Sequence, residues 1–166
     1  MTVPPPASTP FQIVHLIDAP GAAAVLERWF IAEWAPWYGP GGAGNAAADL
    51  AACHHRDRLP ICLVALDTDG RPVGTAALKT ESVGSELGVE PWLAAVLVPA
   101  AQRGRGIGSA LVAAIEQTAT QLGHEAIYTS TDTAQRILER RGWRAMATVP
   151  SLRGTLDVYR WSSTPP

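Results

Sequence analysis

The stretch that most limits the fold is residues 91–116, PWLAAVLVPAAQRGRGIGSALVAAIE. It opens with a continuous apolar run, Trp92 to Val98, long enough for a strand and lacking the alternation of a half-buried one. The run predicts a strand buried on both faces. A polar, glycine-bearing loop follows from Pro99 to Ile107. Beyond it, Leu111, Val112, Ile115, Ala119 and Leu122 recur at helical spacing, which predicts a helix over about 108–122 that stops at Gly123. Residues 125–130, EAIYTS, read as another strand. A strand–loop–helix–strand unit of this length predicts two parallel strands with a right-handed crossover.

The loop reads Gln102-Arg103-Gly104-Arg105-Gly106-Ile107-Gly108-Ser109. A glycine loop that opens a helix leaves several backbone N–H groups unpaired and aimed at one spot, and the helix dipole adds positive potential there. Glycine lets a phosphate approach the backbone closely. Arg103 and Arg105 add charge nearby, so the loop suits a phosphate or pyrophosphate. A Walker A loop would end in Gly-Lys-Ser/Thr, which is absent. A dinucleotide fingerprint would place glycine where Ser109 stands and an acidic residue at the end of the next strand; Glu125 begins that strand instead.

The flanks complete a mixed α/β chain. Residues 11–17, FQIVHLI, suggest a first strand. Asp18 is the expected cap of a helix with Pro20 in its first turn and a stripe of Ala22, Leu26, Trp29, Phe30 and Trp34, ended by Pro36, Gly39 and Pro40. Asn45 is the expected cap of a second helix running to about Leu59. Residues 61–66 and 71–79, joined at Asp69-Gly70, predict an antiparallel hairpin. Asp132 and Gln135 have capping-box spacing for a short last helix that Gly142 ends. Residues 143–149 and 156–161 are expected to be two closing strands.

Hydrophobic residues make up 47% and charged residues 17% of the 166, which excludes a disordered chain. With a formal net charge of −2 there is no basic excess for nucleic acid or an anionic membrane. No apolar run is long enough to span a bilayer. Residues 1–10 read as a flexible leader, 11–161 as one domain, and 162–166 as a tail. Cys53 and Cys62 form neither a disulfide framework nor a zinc pattern and suggest reduced thiols in a cytoplasmic protein. His54 and His55 are neighbours in sequence, so a helix would turn them about 100° apart; no metal site is expected.

Arg103-x-x-Gly106-x-Gly108 directly after a buried strand resembles the Q/R-x-x-G-x-G/A motif of the GCN5-related N-acetyltransferase (GNAT) superfamily. Residues 91–116 look like that family's fourth strand, pyrophosphate loop and third helix, and a looser likeness extends over 11–161, including Gly142-Trp143. The resemblance implies a mostly antiparallel mixed sheet whose parallel central strands splay apart, with helices on both sides. It implies acetyl-CoA as cosubstrate: main chain of Val96, Leu97 and Val98 along the pantetheine arm, and Arg103, Gly104, Arg105, Gly106, Ile107, Gly108 and Ser109 at the diphosphate. It implies a primary amine of a small molecule as acceptor, beside Trp34, Trp37 and Trp92. It leaves a homodimer open.

The sequence departs from the family at one informative place. The tyrosine that many members carry four residues before the helix-ending glycine is Leu138 here, and the asparagine often found near the start of that helix is Thr131. Tyr128, on the strand at 125–130 that precedes this helix, is a candidate substitute acid, while Glu33 and Glu90 are candidate bases beside the acceptor. Two other readings remain open: an acyl-CoA binding module without turnover, which Leu138 favours, and an acetyltransferase acting on a protein N-terminus or lysine.

Overall fold

The computed structural model describes residues 10–164. Most of the expected leader and the last residues of the expected tail lie outside these. Strands β1 (Phe11–His15), β2 (Ile61–Asp67), β3 (Pro72–Lys79), β4 (Trp92–Leu97), β5 (Ala126–Thr131), β6 (Arg144–Ser151) and β7 (Gly154–Ser162) form one sheet in the order β1-β2-β3-β4-β5-β7-β6. Neighbours are antiparallel except β4 and β5. The predicted hairpin is β2–β3. Asp67 closes its turn, its Oδ1 accepting from the Asp69 and Arg71 amides at 2.9 Å each, while Gly70 takes φ +79°.

Helix α4 (Ile107–Gln121) crosses one face and places Ile107, Leu111, Val112, Ile115 and Ala119 in a single core with β2, β3 and the central strands. Fully buried side chains such as Leu111 and Ile115 each contribute about 1.5–3 kcal/mol. The contact is close because β3 carries Gly74: a Cβ there would lie 2.7 Å from Ile107 Cγ2. Helix α5 (Gln135–Arg140) lies on the same face, and its Leu138 joins that core at 1% exposure. Glu116 of α4, itself buried, accepts two bonds from Arg141 Nε, one from Arg141 Nη2 at 2.8 Å and one from Trp143 Nε1 at 3.1 Å. The carboxylate raises the Arg141 pKa, chiefly by accepting its hydrogen bonds.

The opposite face holds two separate clusters. Helices α1 (Ala23–Glu33), α2 (Ala35–Tyr38) and α3 (Ala46–Ala52) cover the first, around Leu26, Phe30, Leu50, Cys62, Val64 and Leu97. The second consists of Trp92, Val149, Leu156 and Val158, with Tyr128 packed against it.

Several local expectations are corrected. Asp18 caps nothing: two short 3-10 turns at 16–18 and 20–22 precede α1, and Asp18 pairs with Arg56. Asn45 does cap α3, its Oδ1 accepting from the Ala48 amide at 3.0 Å, but that helix ends at Ala52 rather than Leu59. The Asp132/Gln135 box does not form. Thr131 Oγ1 instead accepts from the Thr133 and Ala134 amides, at 3.1 and 2.9 Å, just before α5. Strand β4 is not buried throughout either: Ala94, Ala95 and Val96 are half-exposed, for a reason found at the centre of the sheet.

Candidate functional site

Strands β4 and β5 share one residue pair, Trp92 with Tyr128. The Tyr128 amide donates to Pro91 O at 3.0 Å, and one step on, a side chain replaces the ladder: Thr129 Oγ1 donates to Leu93 O at 2.8 Å. Beyond that point the strands part. The β3–β4 register also slips, from Ala77 opposite Ala94 to Thr75 opposite Leu97, and the extra residue on β4 includes Ala95 at φ +52°. A bulge of this kind bends its strand and raises its twist, which turns β4 away from β5. Beyond the Trp92–Tyr128 pair Val96 has no partner on β5, whereas Val98 O is taken up by Arg103 Nε at 3.0 Å. An interior strand thus carries an unpaired edge where an extended ligand can hydrogen-bond as a strand would.

The edge leads into the glycine loop. A 3-10 turn at Ala100–Gln102 reverses the chain, and Gly104 and Gly106 take φ +80° and +79°. These left-handed positions let the loop curl so that the first turn of α4 starts at its rim, with Gly106 O accepting from the Ala110 amide at 3.0 Å. A Cβ at either glycine would meet nothing within 4 Å, so the loop's outer side is open. Arg103 Nε donates to Val98 O at 3.0 Å and Arg105 Nη1 to Gln102 Oε1 at 3.1 Å, which holds both guanidinium groups beside the loop. Amides at the start of a 15-residue helix, flanked by two arginines, are an arrangement that could hold an anion such as a diphosphate. Arg103 through Ser109 are therefore brought together at one end of the gap, with Val96 to Val98 leading down into it.

On the other face, α1 and the β6–β7 hairpin flank the gap from opposite sides. Arg153, in the hairpin turn, joins them: its Nη1 lies 3.4 Å from Glu33 Oε1 at the end of α1, and its Nη2 lies 3.4 Å from Asp132 Oδ2 just after β5. Ser130 Oγ donates to Val83 O at 2.7 Å, tying the β3–β4 loop to the end of β5. The mouth so framed carries two carboxylates against one guanidinium. Its floor includes the small residues Ala94 and Ala95 and the half-buried ring of Tyr128, which lies 5.9 Å from that of Trp92.

Of the expected acceptor-side aromatics, Trp34 and Trp37 share Tyr38 as a neighbour, at 6.5 and 6.4 Å between ring centroids, while Trp92 belongs to a separate cluster. Trp34 packs edge-on against Phe30 at 5.3 Å, and Trp37, 46% exposed, lies against the loop at Gly44. Trp92 is fully buried and its Nε1 donates to Val89 O at 2.8 Å, so it supports the floor and offers no surface to a ligand. Glu33 is engaged with Arg153, and Glu90 is exposed on the loop before β4. Sequence reasoning missed Arg153, Asp132, Thr129 and Ser130, whose roles depend on partners 21 to 120 residues away; the bulge at Ala95 has no turn-forming residue to announce it.

The chain matches the family model of the acetyltransferase (GNAT) family over residues 26–143. No curated protein sequence matches it. Among solved structures, it is similar to an aminoglycoside 6'-N-acetyltransferase complexed with coenzyme A, at 15% identity and TM-score 0.73, covering 93% of this chain and 98% of that one. The aminoglycoside 6'-N-acetyltransferase from Enterococcus faecium is similar at 16% identity and TM-score 0.70, with 93% and 98% covered. The protein yncA from Salmonella typhimurium, solved with its cofactor acetyl-CoA, gives 17% identity and TM-score 0.71, with 95% and 96% covered. These likenesses show a shared fold. Together with a family match that runs from α1 through the glycine loop to Trp143, they establish that the chain belongs to the GNAT acetyltransferase family.

Proposed function

We propose that this acetyltransferase moves the acetyl group of acetyl-CoA directly to a primary amine of a small, cationic molecule. The carrying observation is the unpaired edge of β4 running into the open glycine cradle. The cradle amides and Arg103 and Arg105 hold the diphosphate. The Val96 and Val98 main chain holds the pantetheine arm as an added strand, which directs the thioester into the gap. Amides near the Ala95 bulge stabilise the negative charge that develops on the thioester oxygen when the amine attacks. The acceptor enters from the opposite face, between α1 and the β6–β7 hairpin, where Glu33 and Asp132 favour a positive charge. The two aminoglycoside acetyltransferases of the same fold support a small polar amine as acceptor.

A second reading has one observation behind it. Leu138, at 1% exposure, supplies no proton donor from α5, as in a protein that binds acyl-CoA without turnover. Calorimetry with coenzyme A and acetyl-CoA, followed by acetyl-CoA consumption over a panel of aminoglycosides, polyamines and monoamines, separates the two. Binding with turnover on a polycationic amine is the expected result. Binding without turnover favours the module, and no binding removes both readings.

A further inference from the structure

We infer that Thr129 is a positioning residue that stops β4 and β5 from pairing further and so keeps the inner edge of β4 free; its bearing on the donor rests on the acetyl-CoA reading above. In a parallel ladder the rung after Trp92–Tyr128 is the Ser130 amide donating to Leu93 O, which would pair Leu93 with Thr129. That pair is absent among the described residues. Trp92–Tyr128 is the one pair between the strands, and Leu93 O accepts instead from Thr129 Oγ1 at 2.8 Å. Leu93 is 2% and Thr129 5% exposed, so this carbonyl is sealed from bulk water and needs a donor from the protein. The hydroxyl supplies one and leaves the rung unmade.

The bulge at Ala95 does not by itself account for the break. Leu93 and Ala94 still pair in regular register with Leu78 and Ala77 of β3, and the slip comes only after Ala94. On the other side, β5 keeps a continuous ladder to β7, from Ala126–Ser162 to Thr131–Asp157. Both strands are thus regular partners of their outer neighbours at the level where they stop pairing with each other. What sets that level apart is the Thr129 side chain. The Tyr128 amide points to Pro91 O on the β4 side, so the Ser130 amide, two residues on, points the same way. It faces β4 without its rung, placed to take Leu93 O once the hydroxyl is gone.

The stop decides how far the gap reaches between the strands. One more rung would move its closed end by one residue, about 3.3 Å, toward Val96. Under the donor reading the thioester end of the cofactor lies toward that closed end. A further rung would shorten the space for it and leave the glycine loop, Arg103 and Arg105 as they are. A hydroxyl suits this task because it satisfies the buried carbonyl from a side chain, without drawing the two backbones together.

Thr129→Val removes the hydroxyl and keeps the shape; Thr129→Ser and Thr129→Ala repeat the comparison without the methyl group. Hydrogen exchange followed by NMR on the full chain should show the Ser130 amide slowed about 10-fold in Thr129→Val relative to the parent, and in Thr129→Ala relative to Thr129→Ser, as the rung closes. Calorimetry should show acetyl-CoA bound about 3- to 10-fold more weakly by the two variants without the hydroxyl, with urea midpoints confirming that they are folded. Ser130 exchange that is unchanged or faster in both of these overturns the proposal, because the hydroxyl would then only stitch the strands together. A slowed Ser130 amide with acetyl-CoA affinity within about twofold of the parent overturns the role in donor binding. So does equal weakening in Thr129→Ser and Thr129→Ala, which would trace the effect to packing. A parent that binds no acetyl-CoA removes the donor reading itself, and the exchange comparison still decides whether Thr129 holds the ladder open.

Discussion

On the α4 face one apolar cluster runs from β2 to β7 without interruption, and even its charged member, Glu116, has its carboxylate filled by Arg141 and Trp143. On the other face two clusters stand apart, and what spans the space between them is polar and half-exposed: Arg153 with Glu33 and Asp132. One side is built to be rigid under the donor cradle. The other is left incomplete, and the incompleteness is the mouth. Cohesion and access are thus divided between the faces of one sheet.

The division can be tested from its strong side to its weak one. Glu116→Ala leaves Arg141 and the Trp143 indole without their partner, and urea denaturation should show a loss of about 3–5 kcal/mol. Glu116→Gln, which can still accept from the indole, should lose less. A loss below about 1 kcal/mol for the alanine variant would mean that the α4 face does not carry the fold. Next in size is the cradle. Gly106→Val forces a branched residue to φ +79° at the helix entrance, and calorimetry should show coenzyme A binding weakened on the order of 100-fold while the fold persists. The weakest effect on stability belongs to the mouth. Arg153→Ala removes only half-exposed ion pairs at 3.4 Å, so the urea midpoint should move by less than about 1 kcal/mol. Steady-state kinetics should nonetheless show the acceptor KM shifted several-fold and less sensitive to salt, with the acetyl-CoA KM unchanged. A large stability loss here would break the contrast between the faces.

The same contrast governs what could be read from the sequence. The donor side is local: strand, glycine loop and helix are consecutive, and glycines, arginines and an apolar period of 3.6 mark them without reference to the rest of the chain. The hairpin, too, was written at Asp69-Gly70. The proposed acceptor side is assembled from α1, the β3–β4 loop, the end of β5 and the β6–β7 turn, and no short-range signal pairs Arg153 with Glu33 across 120 positions. Tryptophan misled for a related reason. Large aromatic residues serve walls and foundations alike, and burial, which sequence does not give, decides that Trp92 is a foundation. Capping chemistry was legible at Asn45 and misleading at Asp132, because Thr131, one residue earlier, holds the Thr133 and Ala134 amides ahead of α5.

The single main-chain pair between β4 and β5 has a mechanical meaning. A sheet resists shear because each strand is stitched to the next along its whole length; here the seam is one stitch, Trp92 to Tyr128, reinforced by the hydroxyl of Thr129. The two slabs, β1 to β4 and β5 to β6, are therefore held together chiefly by the side-chain core beneath α4, which runs under both, and hardly at all by the ladder.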